Sequence, residues 1–226
     1  MLVLEIFTTW FWAKKKLIQL NIPIVDRYDR LTQIILHATL PSLTYWSICA
    51  FIYSNINSNF WFFLLGIAFI LFLMLFVNIR AYYEDKFKLE KRTHVVYDFI
   101  KLIVYLFIAY SVFNLRFEYN ISKILVSFLL SILSLMIFTF NLLRYKHLVF
   151  SNIAYVFMNS ILIGLFVFII MGFKSASIYK LTSLTMIIFY VFTGILHHKI
   201  QRDLNKQIVV NYLLIAMLAF AMSIGI

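Results

Sequence analysis

The stretch "FWFFLLGIAFILFLMLFV", residues 60–77, holds no charged residue and no alternation of apolar with polar positions. At about 1.5 Å per residue an 18-residue helix covers roughly 27 Å, close to the hydrocarbon thickness of a bilayer. A membrane β-strand would alternate over segments of about ten residues, so this run predicts a transmembrane helix rather than a barrel strand. The rest of the chain has the same character. Of 226 residues 64% are hydrophobic and 13% charged, with five Gly and two Pro. A soluble core of this length could not bury so much apolar surface. The expected fold class is all-α, a polytopic membrane helical bundle of about seven transmembrane helices. They fall at 34–53, 60–78, 95–114, 122–142, 149–172, 181–198 and 208–226.

One integral membrane domain over residues 1–226 is expected, because no linker or shift of composition divides the chain. Residues 1–25 read as an interfacial segment, with Trp10 and Trp12 at headgroup level and Lys14, Lys15 and Lys16 near anionic lipid. Its charge follows the apolar residues, the wrong order for a secretory signal. Cys49 is the single cysteine, so no disulfide forms within the chain.

The formal charge of +11 comes from basic residues that lie mainly between spans, which is membrane topology and not a nucleic-acid partner. Fifteen Lys and Arg fall on the N-terminal segment and the even loops, against four on the odd loops. The N-terminus is therefore expected in the cytoplasm, and the bacterial inner membrane is the expected location. Every loop rich in ionisable groups then faces the cytoplasm. A faint internal echo links "EDKFKLEKRTHVVYDFI" with "RDLNKQIVVNYLLI", each running from an acid into Val-Val and a new helix.

Four polar clusters are candidates for chemistry. In "NIRAYYEDKFKLEKRT", residues 78–93, a continued helix puts Asn78, Tyr82 and Asp85 on one face. Such oxygens suit Mg²⁺ with a substrate phosphate, although Glu84 and Asp85 equally neutralise Lys86, Lys88 and Arg92 in a solvated loop. In "LLRYKHLVF", residues 142–150, Arg144, Lys146 and His147 crowd a helix end. A guanidinium there fits phosphate oxygens, or simply anchors the span. In "LHHKIQRDLNK", residues 196–206, His198 and Arg202 are i, i+4 neighbours suited to a phosphate. The adjacent His197 and His198 point about 100° apart and make a poor zinc pair, and a plain turn is the simpler reading. Asp98 and Lys101, at i, i+3 in the third span, are a structural ion pair or a step on a proton or ion path. His37 reads as an interior polar residue. The P-loop, the nucleophile elbow and the paired metalloprotease histidines are absent from the sequence.

"RLTQIILHATLPSLTYW", "VNIRAYYEDKFKLEKRT", "LRYKHL" and "HHKIQRDLNK" together resemble, in order and spacing, a divergent, motif-depleted member of the UbiA superfamily of intramembrane prenyltransferases. The resemblance implies a UbiA-like bundle with a lipid-lined cavity and two Asp-rich motifs that hold Mg²⁺ on a prenyl diphosphate. Anchored on Asn78, the first motif has Ile79, Tyr82 and Lys86 at its Asp positions; anchored on Asp203, the second has Ile195 and Lys199. On this resemblance Asn78, Asp85 and Asp203 are the implied Mg²⁺ ligands and Arg144 the grip on the diphosphate. Lys86, Lys91, Arg92, Lys146, Lys199 and Arg202 are the implied contacts to an anionic head group.

On this resemblance the expected ligand is a membrane lipid or isoprenoid, with or without prenyl transfer. Two rivals stand beside it: a non-catalytic membrane subunit docking a protein partner through its basic loops, and a small transporter built around Asp98 and Lys101.

Overall fold

Three polar residues at breaks in the apolar pattern start three of the helices. The Ser122 hydroxyl accepts from Leu125 N at 3.3 Å, Ser177 accepts from Lys180 N at 3.3 Å, and Asn205 Oδ1 accepts from Ile208 N at 2.8 Å. Each satisfies one of the amide donors a helix leaves open at its N-terminus. Two left-handed residues, Asn120 (φ 54°) and Arg202 (φ 61°), lie just past helix ends.

The computed structural model describes residues 42–55, 63, 65–70, 90–144, 150–173 and 177–225. Among them are seven helical segments and no strand. They are α1 (42–54), α2 (65–70), α3 (Glu90–Tyr119), α4 (Lys123–Arg144), α5 (Phe150–Ile170), α6 (Ile178–Gln201) and α7 (Lys206–Gly225). Among the described residues four stretches are long and apolar enough to cross a membrane: Asp98–Tyr119, Lys123–Leu142, Phe150–Ile170 and Ile178–Ile200. The chain divides into two compact units, Met1–Val104 and Tyr105–Ile226.

Within the second unit the side chains are arranged for lipid rather than water. Phe150, Phe157, Met158, Leu165 and Ile169 of α5 are exposed, while Asn152, Asn159 and Ser160 of the same helix are buried. A water-soluble helix would show the reverse. Buried hydroxyls close on the carbonyl one turn back: Ser111 to Phe107, Ser134 to Leu130, Ser160 to Val156, Thr185 to Leu181 and Thr193 to Phe189, all at 2.7–2.8 Å. This is the local solution open to Ser and Thr where no water is at hand.

The helices are held by close packing. On α4 and α5, Ser127 and Ser131 meet Ser160 and Gly164: Ser131 Oγ donates to Ser160 O at 2.8 Å, and a Cβ added at Gly164 would lie 3.0 Å from Ser131 Cβ and 3.2 Å from Ser127 O. Small residues four apart on both helices let the backbones approach, the usual basis of association where burial from water supplies no drive. Rising numbers on α4 match falling numbers on α5, so the two run antiparallel. Tyr105, at the head of the unit, stacks on Phe189 of α6 at 3.7 Å between ring centroids, and Phe189 stacks on Phe138 of α4 at 5.3 Å. The Tyr105 hydroxyl lies 3.4 Å from Ser134 Oγ.

The α4–α5 crossing makes a sharp test. Gly164→Ala should destabilise the protein in detergent by about 1 kcal/mol, because the Ser127 carbonyl cannot withdraw, and Gly164→Leu should prevent native packing. Thermal unfolding of purified variants reads the difference; equal stability of all three would show that the crossing is not close packed.

Candidate functional site

The α6–α7 turn is the best-defined polar feature of the described residues. Arg202, in the left-handed conformation, ends α6, and its amide closes on the carbonyls of His198 and Lys199. The Asp203 amide also returns to His198 O, so the chain reverses within a few residues. This reversal moves Asp203 off the helix that carries Ile195 and Lys199, and it places the carboxylate beside His198, with Nδ1 at 3.0 and 3.2 Å from its two oxygens. His198 thus meets Asp203 rather than serving with Arg202 as an i, i+4 pair on a continued helix. The rings of His197 and His198 stand edge to face at 5.8 Å.

Tyr212 of α7 fixes the angle of the turn. Its ring fills the space left by Gly194, where an added Cβ would land on the ring, and it also meets Tyr190 at 5.7 Å and His198 at 6.0 Å. Glycine is required there for a close approach and not for its backbone freedom.

Lys199 leaves the turn and crosses to α5. Its Nζ lies 4.2 Å from the centroid of the Tyr155 ring, a cation–π contact that brings the C-terminal end of α6 beside the start of α5. Tyr155 lies on one face of α5 with Asn152 and Asn159, at i, i+3 and i+7. Asn159 is 2% exposed, and its amide nitrogen has no hydrogen-bond partner. The Tyr155 hydroxyl interacts with the Asn159 side chain one turn away.

Neither Asn152, Tyr155 nor Asn159 stood out in the sequence. The signal was available: three polar side chains at helical spacing within an otherwise apolar span, where polar groups are expensive.

Of the residues singled out in the sequence, Asp203, Lys199 and Arg202 are placed at this turn. Arg144 is the last residue of α4, and Lys91 and Arg92 belong to the first turn of α3. Asn78, Asp85, Lys86 and Lys146 lie outside the described residues, as do His37 and the segment 1–25. No three His, Cys, Asp or Glu side chains converge among the described residues. Asp203 turns both carboxylate oxygens to His198, and the other two residues named for Mg²⁺, Asn78 and Asp85, lie outside the described residues.

Asp98 and Lys101 do form an ion pair, with Lys101 1% exposed. Helix α3 begins at Glu90, earlier than the expected 95, and its membrane-length window opens at Asp98 itself. The pair thus sits at the edge of the apolar stretch, as a satisfied structural contact would.

Inward polar groups, outward apolar side chains and four membrane-length helices define a helical integral membrane protein. The chain belongs to the family described as "Protein of unknown function (DUF5656)", whose profile matches residues 7–226. No curated protein and no solved structure matches the chain.

Two substitutions probe the site's local energetics. Arg202→Gly should gain up to about 1 kcal/mol, since glycine takes the left-handed cap without a Cβ penalty. Asn159→Leu, near in volume, should raise the melting temperature by removing the unmatched donor, a gain of about 1 kcal/mol. A drop in melting temperature for Asn159→Leu would mean that the amide is satisfied in the folded protein.

Proposed function

We propose that the protein binds a membrane lipid or isoprenoid with an anionic head group at the end of the bundle where α6 turns into α7. The observation that carries this reading is the charge balance of the turn. His197, His198, Lys199, Arg202 and Lys206 crowd it, and its single acid, Asp203, has both oxygens on His198. Arg202 and Lys206 are exposed, and neither meets a carboxylate among the described residues. An exposed guanidinium and ammonium beside a membrane-length helix attract phosphate by charge and by forked hydrogen bonding.

In this reading the chain is UbiA-like, with the α6–α7 turn on the cytoplasmic side. The positive-inside count supports that side, because α6 ends in one of the Lys- and Arg-rich loops. The transferase form of the reading would require Mg²⁺ on Asn78 and Asp85 together with Asp203. The His198–Asp203 contact favours the binding form, because a carboxylate engaged by an imidazole is a poorer metal ligand.

Titration of the purified protein with dioleoyl phosphatidic acid, geranylgeranyl diphosphate and dioleoyl phosphatidylcholine tests the proposal by native mass spectrometry. At least one of the two anionic ligands should bind about tenfold more tightly than phosphatidylcholine without added metal, and Arg202→Gln with Lys206→Gln should remove most of that preference. Equal retention of all three ligands would overturn it. A tight geranylgeranyl diphosphate complex that forms only with Mg²⁺ would move the assignment to the transferase form.

A further inference from the structure

Helix α7 packs on α6, and its packed side carries Tyr212, whose ring lies on Gly194, and the buried Ala216. The other side is exposed, but it is not uniformly apolar. Gln207, Asn211, Leu214, Leu218 and Ala221 are all exposed and recur at alternating spacings of four and three residues. That is the spacing of a seam between two helices packed nearly parallel. Gln207 and Asn211 make no hydrogen bond to a described residue.

The depth of Asn211 follows from its neighbour. Gly194, which the Tyr212 ring covers, precedes His198 by about one helical turn, so Asn211 lies about 5 Å further into the span than His198. A carboxamide turned outward there leaves two donors and an acceptor facing lipid, where polar side chains are costly and ordinarily face protein.

We propose that this seam joins α7 to α7 of a second copy of the chain. Copies inserted in the same direction are related by a two-fold axis along the membrane normal, so a residue on the seam meets its own counterpart at the same depth. A carboxamide suits that symmetry, because it carries donor and acceptor together and closes on an identical group. A single Asn at a seam position also fixes the register and number of helices that pair. Like charges on the seam would oppose pairing, and it carries none: Lys206, five residues before Asn211, lies about 140° around the helix from it. Leu214, Leu218 and the small Ala221 supply the packing surface deeper in the span. The pairing requires no head group and stands apart from the ligand at the turn.

The test uses the full chain with Cys49→Ser, which removes the single native cysteine, reconstituted in phosphatidylcholine vesicles. One new cysteine is placed by Leu214→Cys, on the seam, or by Leu213→Cys, equally exposed but about 100° away around the helix. A short bifunctional thiol reagent should convert most of the Leu214→Cys protein into a covalent dimer, and about fivefold less of the Leu213→Cys protein. Energy transfer between labelled copies, followed as lipid dilutes them, should show dimers that weaken about tenfold with Asn211→Leu and recover with Asn211→Gln. Should Asn211→Leu misfold, the cross-linking comparison decides alone. A monomer at every dilution, equal cross-linking at the two positions, or dimers indifferent to a folded Asn211→Leu overturns the proposal. Leu214→Cys protein that stays monomeric and closed to a maleimide would show the seam covered by the chain itself, which also overturns it.

Discussion

A bilayer offers no water to an unpaired donor or acceptor, so every polar group within the spans must find its partner in the protein. The interior of this chain follows from that constraint. Hydroxyls of Ser and Thr turn back on their own helices, and Lys101 is held by Asp98. The Tyr105 hydroxyl reaches toward Ser134 while its ring joins the stack with Phe189 and Phe138. Each of these is a polar group closed within a turn or across one helix contact. They permit burial without adding much net energy, because the same groups would also find partners in the unfolded chain in lipid.

Cohesion then has to come from shape. Apolar side chains gain little by leaving lipid for the bundle, so close approach and interdigitation carry the association. The chain uses two devices for this. Where α4 crosses α5, small side chains at Ser127, Ser131, Ser160 and Gly164 bring backbones together. Where α6 meets α7, Gly194 makes room for a ring, and Tyr212 fills it. The second device also shapes the α6–α7 turn, because the ring that packs on Gly194 touches His198, which in turn faces Asp203.

Much of the fold was legible in hydropathy. The spans expected at 122–142, 149–172 and 181–198 correspond to Lys123–Arg144, Phe150–Ile170 and Ile178–Gln201. The ends differ because hydropathy does not register capping. Ser177 starts α6 three residues earlier than the apolar run, and α3 extends to Tyr119 because Asn114 donates to Glu118 and Arg116 donates to the Ile121 carbonyl. The pairing of Asp98 with Lys101 was visible in their spacing. The conformation of Arg202 was not, since a left-handed arginine has no sequence signature like that of glycine, and it alone takes Asp203 out of register with Lys199. Asn152, Tyr155 and Asn159 were passed over because charge, rather than neutral polarity, marked the candidate clusters.

Charged and neutral polar residues are held differently in this chain. Charged groups gather at the turn, where head groups and water can meet them, and they say little about which ligand arrives. Neutral groups inside the span have no such freedom: each is either closed on a neighbour or left as a standing cost. Ser160 and Thr193 illustrate the first condition and Asn159 the second.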